Sequence, residues 1–96
     1  MANRKIAEDL GADESSDSVA FTGTDISYVA VSGEFDGAAV NFELFDPSFG
    51  AWVPISGMQA LQDQAFCINK PAGPLSIRAT TDGGGVLTSI NVGLIE

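Results

Sequence analysis

Histidine is missing altogether from this 96-residue chain, and cysteine, tryptophan and tyrosine occur once each. Without histidine the chain cannot supply the commonest general base, triad member or transition-metal ligand. With Cys67 alone it can form neither an internal disulfide nor a multi-cysteine metal site, and the thiol is expected to be a small buried hydrophobe. Basic residues are scarce as well. Arg4, Lys5, Lys70 and Arg78 are the only four, against thirteen acids, for a formal net charge of −9. They form no cluster beyond one terminal pair, so direct nucleic-acid binding through phosphate neutralisation is not expected. Apolar runs are far shorter than the roughly 20 residues of a membrane-spanning helix, and no membrane association is expected. Arg4 and Lys5 lead into Glu8 and Asp9 rather than into an apolar segment, so no cleaved secretory signal is expected and the chain is read as made in the cytoplasm.

Apolar residues make up 45% of the chain, ordinary for a globular fold. The length suits one domain with a single thin core. Composition changes near residue 18. Residues 1–18, "MANRKIAEDLGADESSDS", form an acidic arm, and residues 19–96 read as a β-domain. Within the arm Asn3 could cap a short helix that places Ile6 and Leu10 on one face and stops at Gly11. The charge order runs against the helix dipole, so an extended arm stays open beside the helical one. The arm is poor in apolar groups, and ordering it is expected to need support from its own sheet or a partner, with Ile6 and Leu10 as partner anchors.

From Val19 onward about seven short runs rich in Val, Ile, Phe and Thr are separated by Gly, Pro, Asp and Asn. That pattern predicts an all-β fold, a small antiparallel β-sandwich of about seven strands. In "AAVNFELFD" Val40, Phe42 and Leu44 share the inner face, while Asn41 and Glu43 point outward. Ile77, Ala79, Ile90, Val92 and Leu94 supply further core. "EFDG", "DPSFG", "NKPAG" and "TDGGG" carry turn residues, "MQALQDQ" a turn or single helical turn, and "TDGGGV" is read as a hairpin turn because it lacks the Lys and following helix of a phosphate loop.

No residues here converge on a reaction. Glu34 with Asp36, and Asp13, Glu14 and Asp17, are read as solvated turn acids rather than a glycosidase pair or a calcium loop. No catalytic residue, cofactor or metal ligand is assigned. Phe35, Phe45 and Phe49 exceed what the inner face needs and are candidates for a protein contact surface. Trp52 is the candidate for ligand stacking, weighed against half-buried packing.

"YVAVSGEFDGAAVNFELFD", "GAWVPI" and "PLSIRATTDGGGVLTSINVGL" together resemble a pattern of small β-sandwich structural proteins of tailed-phage virions, a family of head decoration (cement) proteins and neck, tail or fibre modules. The resemblance spans most of residues 26–95. It implies a non-enzymatic, oligomeric virion protein that binds and stabilises the shell of major capsid protein. A neck, tail or fibre module with a host-binding role, and a carbohydrate-binding module using Trp52, are the alternatives. Arg78 matches the pattern's Arg, for which a structural ion pair or cross-strand contact is implied. "DPSFG" replaces the pattern's Gly- and Asp-rich turn before Trp.

Overall fold

The structure is a computed structural model that describes residues 3–21, 26–69 and 75–95. The "NKPAG" turn from residue 70 onward, with Lys70, lies outside the described residues. The fold is all-β: β1 (Asn3–Leu10), β2 (Val19–Phe21), β3 (Ile26–Glu34), β4 (Ala39–Asp46), β5 (Ala51–Ala60), β6 (Gln64–Asn69), β7 (Leu75–Asp82) and β8 (Ser89–Ile95). All seven runs read from the sequence after residue 18 become strands, and the arm contributes the eighth.

Two antiparallel sheets of four strands result, in the orders β1-β8-β3-β6 and β2-β7-β4-β5. Among the described residues only β4 and β5 are consecutive strands paired in one sheet; the other consecutive strands lie in different sheets. "TDGGG" is therefore a crossover and not a hairpin turn, because β7 and β8 belong to different sheets. Alternation explains why the sheets pack in a sandwich-like arrangement: Val29, Val31, Ile90, Val92 and Leu94 from one sheet, and Val40, Phe42, Ile77 and Ala79 from the other, form one buried cluster. The Phe42 and Phe66 rings meet edge to face in it, with centroids 5.9 Å apart. β5 takes in Trp52, Val53 and Pro54 and runs on through Met58–Ala60, leaving only Leu61–Asp63 of "MQALQDQ" as a bend.

The helical alternative for the arm is overturned. Residues spaced by four share a face in a strand as well as in a helix, so Ile6 and Leu10 could not choose between them. The open edge of β8 chooses. β1 pairs antiparallel with β8, with register shifts on either side of Ala7 and a positive φ of 54° at Asp9. Those irregularities let the adjacent pair Ile6 and Ala7 face inward together, as one strand with strict alternation could not. Beyond β1 the chain crosses to the second sheet and runs beside β7. Thr81 N donates to Glu14 O and Ser16 N to Ala79 O, both at 2.8 Å; Ala79 N donates to Ser16 Oγ at 2.9 Å. Thr81 Oγ1, within this buried residue, accepts from Glu14 N at 2.8 Å and donates to Gly11 O. Backbone groups of a polar, weakly apolar segment are thus satisfied by the chain's own sheets.

One glycine is fixed by close approach. Gly33 opposes Ile90 across β3 and β8 at φ 129°, and a Cβ there would lie 2.3 Å from Ser89 O. Its hydrogen is what lets β8 lie flat against the end of β3.

Candidate functional site

The strand registers bring four segments to one end of the molecule. Leu10 and Gly33 both oppose Ile90, Val31 opposes Gln64, and Ala39 opposes Asp82. The turns that follow or precede these residues, Gly11–Glu14, Phe35–Ala38, Leu61–Asp63 and Gly83–Thr88, therefore form a single loop end. Aspartates hold it together. Asp13 Oδ1 accepts from Gly83 N at 2.8 Å, Asp36 Oδ2 from Leu87 N at 3.1 Å, and Asp63 Oδ1 from Gly33 N at 3.1 Å. Asp36 itself takes a φ of 44°, tolerable for a short side chain that bonds to nearby backbone, in the tight turn closed by Ala38 N to Phe35 O. Asp13 and Asp36 each tie their own loop to the Gly83–Thr88 connection, and Asp63 ties its loop to the end of β3.

Three large apolar side chains project from this end: Leu61 is 66% exposed, Leu87 67% and Val86 fully. Around them stand Asp9, Asp13, Glu14, Glu34, Asp36, Asp63 and Asp82, all exposed, and none of the four loop segments contains Lys or Arg. The electrostatic character of the end is uniformly acidic. Sequence reasoning missed Leu61, Val86 and Leu87. Their signal was weak: Val86 and Leu87 follow three glycines and precede the alternation of β8, where a strand-period reading assigns them no face.

The opposite face of the β2-β7-β4-β5 sheet carries the aromatic candidates. Phe45 opposes Trp52 across β4 and β5, their ring centroids 5.3 Å apart. Glu43 opposes Arg78 across β4 and β7; Arg78 Nε donates to Glu43 Oε1 at 2.7 Å, and the guanidinium carbon stands 4.5 Å from the Trp52 ring centroid. This is the cross-strand contact implied for Arg78. A guanidinium on the ring is a favourable cation–π arrangement, and it occupies surface of the half-buried Trp52 that a sugar would need. Phe49 is 86% exposed on the β4–β5 hairpin, whose Asp46 Oδ1 accepts from Ser48 N at 2.9 Å.

Three expectations about single residues are corrected. Phe35 packs against the core instead of presenting a contact surface, because the turn at Asp36 folds it back over the sheet end. Cys67 is exposed, since Phe66 and Ile68 take the inner face of β6 and alternation sends the residue between them outward. Ile6 and Leu10, at 4% and 7% exposure, lie in the chain's own core and leave no apolar surface for a partner to grip.

Two surface hollows, of about 380 and about 350 Å³, lie beside Lys5, Glu8, Ser32 and Asn91 and beside Asn41, Glu43, Pro54 and Thr80. Neither is lined by Glu34 or Asp36. The Lys5 ammonium contacts Glu8, whose hydrogen bond and negative charge raise the Lys5 pKa above its ordinary value. Among the described residues no group of three or more His, Cys, Asp or Glu side chains could hold a metal ion. No protein-family model, no curated protein and no solved structure matches the chain.

Proposed function

We propose that this chain is a non-enzymatic structural protein that docks through its loop end onto a protein shell, and that the shell is the major capsid protein of a tailed-phage head which it decorates and stabilises. The loop end carries the docking half of the reading. Exposed Leu61, Val86 and Leu87, set in a ring of acids and free of Lys and Arg, fit a partner surface that is apolar at its centre and basic at its rim. Bonds from Asp13, Asp36 and Asp63 hold the backbone that carries those side chains before contact, which reduces the ordering cost of association. The virion half rests on the resemblance of residues 26–95 to decoration and neck or tail modules, with which an all-β, sandwich-like fold agrees. Assembly follows synthesis in the host cytoplasm.

The experiment adds the chain, and its Leu61→Asp/Leu87→Asp variant, to purified heads and separately to tails of the phage that encodes it. Buried apolar anchors at interfaces are worth about 2 kcal/mol each, so the double variant should bind heads about 100-fold or more weakly while melting like the parent. Rising salt should weaken attachment by the parent chain. Binding to tails alone would move the protein to the neck, tail or fibre class. Equal occupancy by the double variant would remove the loop end from the interface.

A further inference from the structure

Each sheet has two edges, and three of the four are guarded. β1 has two register irregularities and carries Arg4, Lys5, Glu8 and Asp9. β2 is three residues long. β5 contains Pro54 and, beside Gly57 at φ 82°, an irregularity in its pairing with β4. These are the devices by which sheet proteins prevent edge-to-edge association. β6 has none of them. Gln64–Asn69, "QAFCIN", contains no proline, glycine or charge and pairs with β3 through six consecutive residues without a shift. Its outer edge meets no other strand among the described residues.

We propose that β6 is a self-association edge, on which β6 of a second copy pairs antiparallel about a two-fold axis normal to the sheet, joining two four-stranded sheets into one of eight. A second copy fits better than a foreign strand for two reasons. A chain of net charge −9 repels itself wherever acids meet, and this edge strand presents none. Antiparallel pairing of β6 with itself also matches faces: inner Phe66 and Ile68 meet their equivalents' side of the sheet, and outer Cys67 meets the outer side. Centring the pair on Cys67 sets Phe66 opposite Ile68 of the copy twice, an aromatic and β-branched combination that stabilises antiparallel sheets. The half-buried Phe66 and Ile68, already against the core, are then covered on their open side. The same register places Cys67 opposite Cys67 with Cα atoms about 4.5–5.5 Å apart, within disulfide reach.

This inference stands apart from the loop end, since β6 lies along the side of the sheet. The test is sedimentation of the full chain under reducing conditions, followed by mild oxidation. A dimer is expected, together with a disulfide-linked species that disappears in Cys67→Ser while the dimer itself remains. Ala65→Glu with Cys67→Glu places carboxylates on exposed outer positions and should weaken the dimer by about tenfold or more, with an unchanged melting curve for the monomer. A chain that stays monomeric at every attainable concentration would overturn the proposal. A dimer insensitive to the two Glu substitutions, with no Cys67 cross-link, would equally overturn it by placing the contact elsewhere.

Discussion

Replacing Ile6 and Leu10 together by Ala separates an arm that belongs to the fold from one that serves a partner. Both side chains sit in the same buried cluster as Val92 and Leu94 of the neighbouring strand β8. A buried Ile or Leu truncated to Ala costs about 2–5 kcal/mol. β1 is an edge strand that can partly collapse onto the gap, so the lower half of that range applies, about 2–3 kcal/mol for each. The two residues share a cavity wall and their costs need not add, yet a combined loss of about 4 kcal/mol is a large fraction of the roughly 5–14 kcal/mol expected for a domain of this length. At about 4–8 °C per kcal/mol, the double variant should melt at least about 15 °C below the parent, and deletion of β1 should leave no cooperative transition. Thermal denaturation followed by circular dichroism, with urea titration to check that the slope is unchanged, measures this. A double variant that melts within two or three degrees of the parent would show that β1 contributes little to the core, and the pairing with β8 would have to be abandoned.

Two further substitutions probe how the segments are joined. Gly33→Ala forces a Cβ toward Ser89 O in a backbone conformation that side chains rarely adopt, and should cost about 1–3 kcal/mol by denaturant titration; a neutral result would mean that β8 does not approach as described. Thr81→Val keeps the shape of a buried side chain but removes the hydroxyl shared by Glu14 N and Gly11 O, and should cost about 1–3 kcal/mol. Faster amide exchange confined to residues 11–16 should accompany it, and unchanged protection there would refute the bracing role.

Local pattern alone placed the strands after residue 18 and most of their inner faces. In Val40, Phe42, Ile77 and Ile90 period-two alternation coincides with burial, because in a strand the direction of each side chain depends only on its immediate neighbours. The same alternation carried the information that Cys67 points outward beside inward Phe66 and Ile68, although cysteine's general preference for burial argued the other way. Pairing was beyond local pattern. In "NRKIAEDL" Ile6 and Leu10 share a face in helix and strand alike and the charge order only disfavours a helix, so the decision belongs to β8, eighty or more residues away, whose edge offers hydrogen bonds that the arm must otherwise find in water. For the same reason the crossover at "TDGGG" looked like a hairpin: its residues permit a turn, but which strands the turn joins is settled by the sheets. The loop end is the strongest case. Leu61, Val86 and Leu87 come from connections far apart in sequence, the aspartates that brace their backbone bond to segments distant in sequence, and their juxtaposition exists only after both sheets have formed. Composition determined that this chain is acidic, β-rich and poor in reactive groups, since those are sums over residues; where its apolar and acidic groups meet is a property of long-range pairing, which only the tertiary structure decides.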